Sequence, residues 1–225
     1  MSGVRGGWFA ACAAAALALP GIVAVAPEAV AAEPQRATAL DRYLDGLTTW
    51  KADFTQTVVD GRSRKIGEGR GRLLISRPGK FRWELSPKGG PQSGQLLVAD
   101  GRNLWFFDRD LEQVTVKPVT EALSQSPAML LSGTGDVREA FEVTSDGRSD
   151  GLDWVAVRPR KREGDFERAR LGFRGNDLAR MELEDRLGQR TSLRFVDAVR
   201  NATIDAQLLQ FTPPAGVDVI GNQVR

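Results

Sequence analysis

The chain has no histidine. That excludes Ser-His-Asp and Cys-His catalysis and the usual imidazole zinc sites, leaving only carboxylate, lysine, serine or tyrosine chemistry. Cysteine is nearly absent as well. The single one, Cys12, follows Phe9-Ala10-Ala11 inside an apolar N-terminal stretch, with only the start of that stretch ahead of it. It reads as ordinary leader sequence rather than a lipid attachment site. Without it no disulfide can staple the fold, which must hold itself by its core. No segment after the N-terminal stretch is long and apolar enough to span a bilayer as a helix. A formal charge of +2 over 225 residues is close to neutral and does not suggest a nucleic-acid partner.

What is present begins with a secretory leader pattern. Arg5 supplies the positive start, an apolar stretch runs from Trp8 to about Leu19, Pro20-Gly21 breaks it, and small residues follow to Ala32. Ala29-Val30-Ala31 is an A-x-A site, so cleavage is expected after Ala31 or Ala32, and Pro27 argues against cleavage after Ala26. The uninterrupted apolar run is shorter than the ~20 residues an anchor needs. Residues 1–32 are therefore expected to be removed, leaving 33–225 as one domain. A chain of that length buries about 70% of its unfolded surface.

The remainder reads as a meander. Leu40, Tyr43, Leu44 and Leu47 have helical spacing within Ala37 to Leu47 and predict an amphipathic opening helix. Strand-like alternation follows at Ala52–Val59, Gly69–Ser76, Phe81–Leu85, Gln95–Ala99, Asn103–Asp108 and Gln113–Lys117. Turn residues separate these segments. Val119 to Gly133 then reads as helix or helical turns, with Ser126-Pro127 as a start signal and Gly133 as a stop. Strands resume at Phe141–Thr144, Leu152–Arg158, Arg168–Phe173, Leu178–Glu184 and Thr191–Val199, and a last apolar piece runs from Leu208 to Phe211. The predicted class is mainly β: an unclosed, half-barrel antiparallel sheet, with a lid of short α-helices over a hydrophobic cavity.

The most informative run is R-P-G-K-F-R-W-E-L, Arg77 to Leu85. Phe81, Trp83 and Leu85 share one strand face, and Leu73 and Ile75 carry the same parity back to Arg77. A guanidinium aimed at an apolar surface costs several kcal/mol unless fixed acceptors await it, which suggests a latch. By pattern alone, an exposed arginine beside a turn fits equally well, and alternating apolar strands usually make plain core.

Five segments together resemble the periplasmic carriers of outer-membrane lipoproteins, the LolA family. They are W-K-A-D-F-T-Q (Trp50 to Gln56), G-R-L-L-I-S-R-P-G-K-F-R-W-E (Gly71 to Glu84), A-D-G-R-N-L-W-F-F-D (Ala99 to Asp108), P-A-M-L-L-S-G (Pro127 to Gly133) and F-T-P-P-A-G-V (Phe211 to Val217). The resemblance implies an open half-barrel lidded by helices, with no enzyme activity and no cofactor. It implies a monomeric periplasmic chaperone that takes acylated lipoproteins from an inner-membrane ABC exporter and delivers them to an outer-membrane acceptor. It also implies that Arg77 matches the family's arginine that hydrogen-bonds lid backbone, and Phe81 its inward aromatic. On this basis Leu73, Ile75, Phe81, Trp83, Met129 and Leu130 are the expected acyl-chain wall. Arg77, Leu131 and Ser132 form the expected latch, with Arg77 donating to the orphan carbonyls of Met129 to Ser132. The Lys88 to Gln95 loop departs from the family in being longer, and the chain stops soon after Val219.

Three rival readings were weighed. A periplasmic lipid or lipoprotein sensor on a related half-barrel would bind without delivering. A hydrolase would use Asp108 with Asp110, or Glu182 with Glu184, but acids at loop tips and outer faces are commonplace. An outer-membrane barrel would need an aromatic-girdled lipid belt that these strands lack. The basic runs Arg62 to Lys65 and Arg158 to Arg162 read as solvated loop charge or as docking charge for a partner.

Overall fold

The computed structural model describes residues 37–87, 93–122, 127–133, 137–161 and 166–224, apart from the side chains at 121, 122, 127 and 129. Among them, twelve strands build one sheet: β1 (Thr49–Val59), β2 (Lys65–Ser76), β3 (Lys80–Pro87), β4 (Gln95–Asp100), β5 (Asn103–Asp108), β6 (Gln113–Pro118), β7 (Phe141–Ser149), β8 (Leu152–Pro159), β9 (Arg168–Arg174), β10 (Asp177–Glu184), β11 (Arg190–Arg200) and β12 (Asp218–Gly221). Their order is β12-β6-β5-β4-β3-β2-β1-β11-β10-β9-β8-β7. The two end strands are not paired with each other, so the sheet is an unclosed half-barrel.

Hairpin turns explain most neighbours, because antiparallel partners need only short links. Three features are not hairpins, one of them the parallel pairing of β12 with β6. β1 pairs with β11, joining the two halves of the chain through Phe54 opposite Phe195. The link from β6 to β7 carries α2 (Val119–Ala122), α3 (Pro127–Ser132) and α4 (Val137–Ala140). It starts beside one end of the sheet and finishes at the other, so these turns cross the sheet rather than extend it. The opening helix α1 (Ala39–Leu44) packs over β8 and β9, and α3 packs over β2 and β3. Together they cover the inner face.

The helix α1 is shorter than the predicted Ala37 to Leu47. Thr38 and Asp41 form a reciprocal capping box at its start. Asp45 is already extended, and Gly46 takes a left-handed φ of 61° that ends the turn. At the other predicted helix, Gly133 has a φ of 61°, as its reading as a stop requires. Two elements were not anticipated. The single turn α4 is too short to carry a period, and β12 joins β6 through parallel backbone pairing while Val219 and Ile220 stay exposed. β2 begins at Lys65 rather than Gly69. Ser126, the expected N-cap, most of the Lys88 to Gln95 loop and Arg162 lie outside the described residues.

The sheet has two apolar faces. The inner one holds Trp50, Phe54, Leu73, Ile75, Phe81, Leu130, Leu131, Phe173 and Phe195 in one continuous core. A smaller outer cluster packs Leu96, Val98, Trp105, Val114 and Val116 beneath Phe107, Phe211 and Val217. Trp105 is buried in this cluster, and Phe107 and Phe211 pack against it partly buried.

Candidate functional site: a lidded apolar face

The predicted wall residues do share one face. Ile75 stands opposite Phe81 and Leu73 opposite Trp83 across β2 and β3, and Phe81 and Trp83 continue to Ala99 and Leu97 on β4. Gly71 makes room in this wall. A Cβ there would lie 2.5 Å from the Phe54 ring, and that ring sits 4.9 Å from Trp83, centroid to centroid. Leu73, Ile75 and Phe81 are completely buried and Leu130 is 2% exposed. Trp83, Leu85 and Leu97 are half-buried and packed against them. The Met129 side chain lies outside the described residues.

Among the described residues this wall is covered by α1 and α3. Its side chains pack on one another and on the helices. A groove of about 890 Å³ runs over the opposite, polar side of β1 to β3, lined by Asp53, Thr55, Arg70, Arg72 and Glu84 among others.

Arg77 has the expected orientation but different acceptors. It sits in the turn between β2 and β3, after a cis peptide bond to Pro78 is counted. Its Nη1 donates to the carbonyls of Leu44, at 2.9 Å, and Leu47, at 3.4 Å. These carbonyls belong to the last residue of α1 and to the turn after it, not to Met129 to Ser132 of α3. The tie to α3 is made next door, where the Gly79 N–H donates to the Ser132 carbonyl at 3.0 Å. The guanidinium also lies flat against Gly133, where a Cβ would come within 2.5 Å of Nη2. Leu131 and Ser132 are both fully buried beside it. One arginine thus touches both covering segments.

A second arginine escaped the sequence reading. Arg200, at the end of β11, donates from Nη1 to the Tyr43 carbonyl at 2.8 Å and from Nη2 to the Asp45 carbonyl at 3.2 Å. Its guanidinium stands 5.2 Å from the centre of the Tyr43 ring. The Asn201 Nδ2 donates a hydrogen bond to the Gly46 carbonyl at 3.0 Å. The end of α1 is therefore gripped from two sides, by Arg77 from β2 and by Arg200 from β11. Only a basic residue at a strand terminus marked Arg200 in the sequence, and that signal is too common to single it out.

The start of α1 is tied to α4. Arg138 Nη2 lies 2.8 Å from an Asp41 carboxylate oxygen. Burial raises the Asp41 pKa, but the Thr38 backbone N–H, the Thr38 hydroxyl and Arg138 outweigh it and hold the carboxyl below its usual range.

Inside the cover, two polar atoms have no hydrogen-bond partner among the described residues: Tyr43 Oη and Trp50 Nε1. Both residues are fully buried. An unsatisfied buried donor costs about 1–3 kcal/mol, so an apolar ring would be more stable at either place. The acidic pairs of the hydrolase reading have structural employment. Glu182 pairs with Arg170, and Asp108 accepts the turn N–H groups of Asp110 and Leu111. Asp100 does the same at its hairpin, accepting from Arg102, Asn103 and the Trp105 indole.

Short helices thus cover one apolar face of an unclosed sheet, with α1 held by arginine-to-carbonyl bonds. The profile of the outer membrane lipoprotein carrier protein LolA matches residues 45–212, and the chain belongs to that family. It is 43% identical over 182 residues to an outer-membrane lipoprotein carrier protein of Dechloromonas aromatica, covering 81% of this chain and 86% of that one. It is 39% identical over 204 residues to one of Chromobacterium violaceum, covering 89% and 96%. Among solved structures, a LolA superfamily protein of Nitrosomonas europaea gives a TM-score of 0.45 at 12% identity, covering 77% of this chain and 96% of that one.

Proposed function

We propose that this protein is a periplasmic chaperone that accepts acylated lipoproteins from an inner-membrane ABC exporter, shelters their fatty chains on the inner sheet face, and passes them to an outer-membrane acceptor. Residues 1–32 act as a removed leader and 33–225 as a single, monomeric carrier domain. The single observation that carries the reading is the inner apolar face closed by α1 and α3, in a chain of this family.

The energetics suit a carrier. Each methylene taken out of water is worth ~0.8 kcal/mol, so a multiply acylated anchor gains tens of kcal/mol in gross terms. A permanently open pocket of that kind would never let go. Here the face is already satisfied by its own cover. Cargo entry exchanges contacts between cover and wall for contacts between chain and wall, and most of the gain cancels. Entry also breaks the arginine-to-carbonyl bonds. Hydrogen bonds to charged groups are worth about 1.5–3 kcal/mol each. Their re-formation on closing favours release. Leu73, Ile75, Phe81, Trp83, Met129 and Leu130 are the wall in this account. Arg77 with Arg200 is the latch, and Leu131 and Ser132 are the part of α3 that it bears on.

The test is to add the protein to inner-membrane vesicles carrying a labelled lipoprotein. The expected result is a soluble one-to-one complex that later gives up its cargo to outer-membrane vesicles. A complex that forms but never delivers would favour the sensor reading, and no complex at all would refute the carrier.

A further inference from the structure

We propose that Tyr43 Oη and Trp50 Nε1 form a carbonyl anchor inside the acyl site, donating to the ester or amide carbonyl that heads a fatty chain. The inference rests on the acyl-carrier reading and specifies how the head of the chain is held.

Both atoms are buried and unpartnered among the described residues. They stand on neighbouring rings, with centroids 6.2 Å apart and planes nearly perpendicular at 83°. Tyr43 rides on α1, the part that must lift, while Trp50 belongs to β1 in the floor. The Tyr43 ring packs 5.5 Å from Phe173 and the Trp50 ring 5.2 Å from Phe195, centroid to centroid, with the Arg200 guanidinium over the Tyr43 ring. Burial pushes the Tyr43 phenol up against the pull of Arg200, which keeps it a neutral hydroxyl. Two donors in an apolar chamber demand an acceptor. An acylated anchor brings that group: each chain is apolar along its length and begins at a carbonyl. An ester carbonyl only accepts, and its two lone pairs can serve one donor or both. Phenylalanine at position 43 would fill the same space and leave no unsatisfied hydroxyl there. The polar heads have no role in the closed form and gain one when a chain enters.

The experiment uses three probes of equal chain length: a long-chain fatty acid methyl ester, the matching N-methyl amide and the matching alkyl methyl ether. Each displaces a fluorescent fatty acid from the purified protein. The ester and amide should bind about tenfold more tightly than the ether, the size expected of one buried hydrogen bond. Tyr43→Phe and Trp50→Phe should each narrow that ratio, and the double variant should bring it to about one. The ratio is internal to each variant, so a general loss of affinity or stability does not imitate the effect. In the wild type, the Trp50 indole N–H resonance should move downfield with the ester and not with the ether. An ester-to-amide preference in either direction upholds the anchor and identifies the linkage it favours. A wild-type ratio near one, or an unchanged ratio in the double variant, overturns the anchor and leaves acyl binding standing. Failure of all three probes to displace overturns acyl binding, and the anchor with it.

Discussion

The two apolar faces of this sheet are covered in opposite ways. On the outer face, the 3-10 turn Ala206–Leu209 and the following segment lie over β3 to β6, with Phe211 5.7 Å from Trp105 and 6.0 Å from Phe107 between ring centroids. Backbone pairing holds that cover down. β12 ladders onto β6, and Asn103 exchanges two hydrogen bonds with the backbone of Val224. On the inner face, α1 and α3 are six residues each and contribute no strand to the sheet. Side-chain bonds from Arg77, Arg200 and Arg138 hold α1, the Gly79 N–H to the Ser132 carbonyl ties α3, and the Tyr43 and Trp50 donors have no partner among the described residues. A cover stitched by backbone ladders leaves only by unfolding part of the sheet. A cover held by a few arginine forks can leave while the sheet stays whole. That difference is why the inner face is the one proposed to open.

The largest expected effect lies on the face that should not open. Trp105→Ala removes the aromatic centre of the outer cluster and should cost about 3–5 kcal/mol, read as a lower midpoint in denaturant. What remains folded should still take up lipoprotein. Selective loss of uptake at full stability would mean that the outer face is the site. Next come the latch arginines. Arg77→Leu and Arg200→Leu should each accelerate amide exchange in α1 by about tenfold or more, the loss of bonds worth about 1.5–3 kcal/mol. Both should retain cargo longer and slow delivery. Normal delivery by Arg77→Leu and Arg200→Leu together would show that neither arginine is a latch. Gly133→Ala is a milder version of the same insult, since its left-handed backbone disfavours a side chain by about 1–2 kcal/mol and the new methyl would push against Arg77. A delivery defect between wild type and Arg77→Leu is expected.

The smallest effect concerns the ion pair at the other end of α1. The Asp41 pKa is lowered in the fold, so its stabilisation is complete above the unfolded value near 4 and fades as pH falls below that. Exchange in α1 should rise below about pH 4, and Asp41→Asn should flatten that dependence. A rise centred near neutral pH would assign the change to some other group.

Much of this was legible before the structure. Alternation and turn residues located eleven strands, because one face of each is buried and the other wet. β12 was not legible, since its pairing uses backbone alone and leaves Val219 and Ile220 exposed. The wall at Leu73, Ile75, Phe81 and Trp83 followed from parity. How the wall is covered could not follow, because periodicity tells which way a side chain points and not how near its cover lies. Arg77 stood out by its parity with an apolar face, yet its acceptors were misplaced. Orphan carbonyls occur at the end of every helix, and only the fold decides which end comes within reach. Arg200 and the unsatisfied Tyr43 and Trp50 heads are properties of assembled contacts and leave no mark in a single sequence.

The central claim is most directly tested by residue-resolved hydrogen exchange, measured with and without a bound acylated lipoprotein. The account predicts that cargo strips protection from α1 and α3 while residues 206–217 and the β6–β12 ladder keep theirs. Unchanged α1 and α3, with protection lost over the outer segment instead, would contradict it.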